Sequence, residues 1–249
     1  MTDAQVLELI QDALNEVEAA RAGAPLPAFD FLDRRLAYFD LALAGLLYNA
    51  ALWIDRALFW ADPALSEPVL GALRAAPAYD APASLAYLGM VPGMAVFLLR
   101  VETDFAELHG RFYGAISQGA PLRQIEALRN ELVRAIRRAV LEIVKVQGIC
   151  ALLLILGGPA LLRALGAPAE HEGAFCRAVL GVSIFILFIA VVHLFFYFDL
   201  RRGGLLLCAL LVALNGGLTL VSHRLGPGYY GLGLGAAAAL CSLLGLHLL

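Results

Sequence analysis

Apolar residues in this chain are gathered into blocks of about twenty, and no other feature limits its fold so tightly. The blocks fall at about 36–60, 83–101, 146–165, 178–198, 203–222 and 229–249. Twenty helical residues reach across ~30 Å, the hydrocarbon thickness of a bilayer. No water is available at that depth to satisfy backbone groups, so each block is predicted to be a helix. The expected fold class is all-α: a polytopic helical membrane protein of six spans, carrying amphipathic cytoplasmic helices. Composition agrees, with 61% hydrophobic and 16% charged residues, where a soluble domain has about half and about a quarter. Membrane lipid is thus one expected partner. A net charge of -3 favours no nucleic acid. Cys150, Cys176, Cys208 and Cys241 lie in apolar blocks without close pairing, and read as small buried hydrophobes.

Residues 1–25 form an amphipathic N-terminal segment. Val6, Leu7, Ile10, Leu14 and Val17 make one stripe opposite acidic residues, too polar a helix to span. Its acidic start lacks the basic run of a signal peptide, so it is not expected to be one. Residues 26–249 are expected to form the membrane domain. Only Leu41 to Ile54 is free of charge in the first span, which is too short to cross alone. Either Asp40 or the Asp55–Arg56 pair therefore sits at membrane depth, and Asp40, Ala44, Leu47, Ala51 and Asp55 share roughly one helical face.

Residues 61–82 hold Pro63, Pro68, Pro77 and Pro82 and read as an irregular loop. The stretch from Tyr87 to Phe105 then begins apolar, is interrupted by Pro92 inside Gly89-x-x-x-Gly93, and turns into Arg100, Glu102 and Asp104. A lipid-soluble helix is handed over to a charged, water-facing segment. Pro92 reads equally as a flexible kink or a static bend. The polar insert 102–142 follows. Phe105, Leu108, Phe112 and Ile116 form a helical stripe, with Glu107 four residues before Arg111 for an ion pair. After a break at Gln118–Pro121, Leu122, Ile125, Leu128, Leu132, Ile136 and Val140 carry a second stripe straight into the third span.

Lys and Arg counts set the orientation. Thirteen fall before the first span, between Arg100 and Lys145, and at Arg201–Arg202; five fall in the alternate segments. The N-terminus, the insert and the C-terminus are expected in the cytoplasm.

Charges inside spans are the sharpest functional lead, because a central charge costs about 2.5–3.5 kcal/mol on insertion scales. Asp40, Asp55, Arg56, Glu142 and Lys145 qualify, the last two at i, i+3 on one face. They either line a path or pair at the headgroup boundary. His193 reads as a core histidine bonded to a neighbouring helix, or as part of a proton relay. Asn49 and Asn215 read as interhelical glue or as substrate contacts. The remaining histidines lack metal-ligand spacing, so no metal site is expected. Both Gly-x-x-x-Gly pairs, at 89–93 and 231–235, read as close helix packing. GPGYYGLGLG at 226–235 follows no strand, and its Tyr229 and Tyr230 suit a membrane-interface belt. The basic face Arg123, Arg134, Arg137 and Arg138 is either solvated, laid on headgroups or docked to a cytoplasmic partner. No set of residues is arranged to activate a nucleophile or water, and neither an enzyme nor a cofactor is expected.

Several blocks together carry a resemblance. LLYNAALWIDRALFW (46–60), LRAAPAYDAPASLAYLGMVPGMAVFLLRVETDFAELHGRFYGAI (73–116), IEALRNEL (125–132), VQGICALLL (146–154), FYFDLRR (196–202) and GPGYYGLGLG (226–235) occur in order. They resemble the Pel exopolysaccharide transporter family, the inner-membrane G component of the Pel system. That family is related to the flippases of the multidrug/oligosaccharidyl-lipid/polysaccharide superfamily. The likeness runs from about Leu26 to Leu249. Family members carry a further membrane half upstream and a short polar tail, so a C-terminal portion of a longer transporter, or a truncated gene product, is expected. The resemblance implies export of Pel polysaccharide across the bacterial inner membrane. It also implies partners: a cytoplasmic glycosyltransferase, and membrane scaffold and cyclic-di-GMP-sensing subunits. The family's polymer is rich in amino sugars and partly cationic, which would make Asp40, Asp55, Glu102, Asp104 and Asp199 a weakly attractive acidic path. A scaffold that anchors the synthase without forming the path is the alternative.

Overall fold

The computed structural model describes residues 38–249. The amphipathic segment expected at 1–25 lies outside the described residues, as do Arg21, Arg34 and Arg35. Helix α1 spans Phe39–Ala61. A two-stranded antiparallel hairpin follows, β1 (Glu67–Leu70) and β2 (Leu73–Ala75). Then come α2 (Pro77–Leu88), α3 (Val91–Phe97), a π-helical segment (Leu98–Phe105) and α4 (Ala106–Ser117). The long α5 (Leu122–Ala164) leads to α6 (His171–Tyr197), α7 (Arg201–Leu225), a 3-10 turn (Pro227–Tyr229) and α8 (Leu232–Leu248).

Five of these, α1, α5, α6, α7 and the turn with α8, are long and apolar enough to cross a membrane; a sixth span results if α2 and the α3-to-α4 run form one broken crossing, bent by 42°. The fold is all-α and polytopic, the fold of a membrane protein. Residues 61–82 are more ordered than their prolines suggested. Gly71, at φ +56°, and Ala72 make a two-residue turn that closes the hairpin. Pro77 opens α2 from the first turn, where its missing N–H needs no partner.

Helix α6 is the central one: 67% of its most apolar stretch is buried, against 17% for α1. Phe185, Ile186, Phe188 and Ile189 are each at most 1% exposed. The other helices leave long leucine faces outward, which is no penalty where lipid is the solvent. The tightest packing sets α6 against α8. A Cβ on Gly235 would lie 2.9 Å from the Cα of Gly181, so the two backbones touch only because neither residue has one. Beside that contact Arg177 donates to the carbonyls of Tyr230 (2.6 Å) and Pro227 (2.9 Å), fixing the turn into α8. Tyr230 is buried with its ring 4.8 Å from that of Phe59 and does not join an interface belt; Tyr229 is the exposed one of the pair.

Candidate functional site

The broken span is where backbone chemistry is least ordinary. Helix α2 ends at Leu88, capped by Gly89, and α3 begins at Val91, so Pro92 stands in the first turn of a new helix. The 42° bend that results lies between two helices and not within a continuous one. A break at membrane depth frees polar backbone groups that lipid cannot satisfy. Gln147, 2% exposed on α5, satisfies them. Its Oε1 accepts from the Gly93 N–H (3.1 Å), and its Nε2 donates to the Gly89 carbonyl (3.0 Å) and to Ser183 Oγ (3.0 Å). One side chain thus ties α2, α3, α5 and α6.

Two turns further on, the π-helical segment delivers Arg100 to α5. Its Nε donates to Glu142 Oε2 at 2.5 Å and its Nη1 to Asp104 Oδ2 at 2.6 Å. Glu142 therefore pairs across helices; the exposed Lys145, expected to face it, makes no ion pair among the described residues. The i, i+3 pair does not form because α5 turns Glu142 toward Arg100 and leaves Lys145 exposed. Glu102 accepts from Tyr197 Oη (3.1 Å) at the end of α6. At the same end, Arg201 lies 2.7 Å from Asp199 and 3.8 Å from Asp40. Asp199 holds a positive φ of 56°, which Asp tolerates in such a turn. Arg123, Arg134, Arg137 and Arg138 are exposed on α5, with no ion pair among the described residues. Glu107 and Arg111 likewise form no ion pair there, although both line a hollow of about 670 Å³ between α4 and α5.

Asp55 belongs to the opposite end. It stands fifteen residues from Asp40 on α1, about 22 Å along the axis. Asp55 is 3% exposed; its Oδ2 accepts from Tyr79 Oη at 2.5 Å and its Oδ1 from its neighbour's N–H. Tyr79 stacks on Phe59 at 4.0 Å. Asp80 accepts from the Trp60 indole and from the Ala76 N–H, both at 2.8 Å, so the start of α2 is bolted to the end of α1. Arg56 turns away from Asp55: its guanidinium stands between the Trp53 and Tyr87 rings, at 5.2 and 5.3 Å. The structure gathers Asp104 and Glu142 around Arg100, and Asp40 and Asp199 around Arg201. It does not bring Asp55 to either group.

The neutral polar residues sort differently. Asn215 is fully buried and donates to the Ala51 carbonyl across helices (2.8 Å). Asn49 is exposed and bonds only within its own helix, to Gly45. His193 bonds to Ile189 of its own helix (2.8 Å), not to a neighbour, and meets Phe97 edge-on. Among the described residues no three His, Cys, Asp or Glu side chains lie together as a metal site would need. Reading the sequence passed over Gln147 and Tyr79, and used Arg177 and Arg201 only in the charge count. Gln147 had one signal, a lone amide in an apolar run, and Arg100 had its i, i+4 spacing to Asp104.

Comparison with known proteins adds a family. The family described as "PelG: Putative exopolysaccharide Exporter (EPS-E)" matches residues 23–249. No curated protein and no solved structure gives a match. The match covers nearly the whole chain. The chain belongs to this family of exopolysaccharide exporters, a transporter family and not an enzyme family.

Proposed function

We propose that this chain is an inner-membrane part of the Pel export machinery and helps move the polysaccharide outward across the cytoplasmic membrane. The observation that carries this reading is the broken span at Gly89–Val91, clamped by Gln147. Discontinuous helices near the midplane are where transporters place their moving parts and their path. In this reading residues 26–249 are one membrane domain, with 102–142 in the cytoplasm beside the glycosyltransferase, scaffold and cyclic-di-GMP-sensing subunits. Asp40, Glu102, Asp104, Glu142, Lys145 and Asp199 border the path at the insert end. Asp55, with Arg56, borders it at the other, and Asn49 lies between. A polymer carrying amino groups would meet an acidic collar at the insert end, loose enough to let go.

The test is export from cells carrying Asp40→Asn, Asp55→Asn and Glu102→Gln. Exported polymer should fall severalfold with the protein at normal levels; unchanged export would make these residues structural. A scaffold reading is favoured by one observation, the exposed basic face Arg123, Arg134, Arg137 and Arg138. Charge reversal at Arg134, Arg137 and Arg138 separates the two. A scaffold loses the co-purifying synthase, whereas an exporter keeps it.

A further inference from the structure

Helix α2 carries Ala81, Ser84, Leu85 and Leu88 along one stripe, with Leu85 half-buried and the others exposed. Two hollows run along that stripe and share Leu85 and Leu88. The first, about 520 Å³, lies between α2, Leu162 and Leu165 at the end of α5, and the start of α6; Ser84 and His171 are its polar groups. The second, about 420 Å³, is walled by Gly89, Pro92, Cys150, Leu153 and Leu154 and holds no charged side chain. Together they form one groove, polar at one end and apolar down its length. From Leu165 to Cys150 is about 22 Å of helix, enough to take an acyl chain through one leaflet of a ~30 Å hydrocarbon core.

The polar end is short of partners. His171 is 8% exposed, and its Nδ1 has no hydrogen-bond partner. Arg56 reaches Ser84 Oγ only at 3.4 Å, and its Nε is buried without a partner. A buried polar group left unpaired is destabilising. Ser84 lines both the hollow that holds His171 and a further one, of about 320 Å³, that holds Arg56, so an anion at Ser84 would stand beside the guanidinium.

We propose that this groove is a specific site for one anionic phospholipid. Its phosphate sits among Arg56, Ser84 and His171, and an acyl chain lies along Leu85, Leu88 and Leu153. The tail ends against Gly89 and Pro92, so occupancy also braces the bend between α2 and α3. This goes beyond the export reading and stands or falls without it.

The full chain, purified in detergent, is melted with dioleoyl-phosphatidylglycerol, dioleoyl-phosphatidylcholine or inorganic phosphate, and retained lipid is read by native mass spectrometry. Phosphatidylglycerol should be retained as a single copy and raise the Tm, phosphatidylcholine should do so weakly, and phosphate alone should do neither. Leu88→Trp pushes a ring into the groove from an exposed position and should weaken phosphatidylglycerol binding about tenfold, while Leu206→Trp, exposed on α7, should leave it unchanged. Arg56→Gln should erase the preference for the anionic lipid and keep the weak binding of the neutral one. Equal retention of both lipids, or equal losses in the two tryptophan variants, overturns the proposal in favour of ordinary solvation by lipid. An unchanged preference in Arg56→Gln overturns it as well. A Tm response to inorganic phosphate alone overturns it in favour of a free-anion site.

Discussion

Gln147 does for the broken span what a continuous helix would do for itself. Its amide presents an acceptor to the Gly93 N–H and a donor to the Gly89 carbonyl, on opposite edges of one planar group. Gln147→Leu keeps the volume and removes both, so the full chain in detergent should lose about 1–3 kcal/mol, read as a lower Tm. Gln147→Glu, which must hold a proton to stay buried, keeps the acceptor and one donor where the amide has two, and should fall between. A Leu variant as stable as the parent would mean that water reaches the break. Asp55 is the other residue whose partner matters more than its exposure. Tyr79→Phe strips the carboxyl of its one side-chain bond and should cost about 1–2 kcal/mol. Asp55→Asn still accepts from the Tyr79 hydroxyl and should cost less. The two melts in parallel check that order, and the reverse order would assign Asp55 a charge-dependent role in the fold.

Among the elements, the π-helical segment is the least self-sufficient, since π turns are rarely stable by themselves and tend to mark functional positions. What fixes it is Arg100, bonded to Glu142 on α5, and the Thr103 hydroxyl, which reaches the Leu98 carbonyl at 3.3 Å. Arg100→Ala should speed amide hydrogen exchange from Leu98 through Ser117 while α5 around Glu142 stays protected. Exchanging the charges, Arg100→Glu with Glu142→Arg, should restore much of that protection. Equal exchange in the parent and Arg100→Ala would leave the segment held by packing alone. The same elements mark how far sequence reading reached. Helices α1, α5, α6, α7 and α8 were legible because an apolar run of bilayer length is itself the physical cause of a span. The hairpin was not, because four prolines outweighed the single Gly71 turn signal. Nor were the partners of Gln147 and Arg100. They lie 54 and 42 residues away in sequence, and only the packing of α3 and the π segment against α5 brings them near. The acidic residues were found as residues but not as groups, for the same reason.

At the scale of the whole bundle, polar residues collect at two ends. Asp40, Glu102, Tyr197, Asp199 and Arg201 mark one, and Asp55, Tyr79, Arg177, His223 and Tyr230 the other. Counting the bent pair as one crossing, each successive helix passes from one end to the other, so a single orientation fixes the side of every loop. By the positive-inside rule, thirteen Lys and Arg against five predict a cytoplasmic insert end. The exposed positions Ser117 and Gly228 lie on opposite ends and test this directly. In a chain whose four native cysteines are replaced by alanine, Gly228→Cys should react with a membrane-impermeant maleimide in intact spheroplasts. Ser117→Cys should react only after lysis. The opposite pattern would put the insert outside the cell. Arg123, Arg134, Arg137 and Arg138 could then meet no cytoplasmic synthase, and the scaffold reading would go. The phosphate end of the lipid groove would move to the cytoplasmic leaflet, where anionic lipid is equally able to fill it.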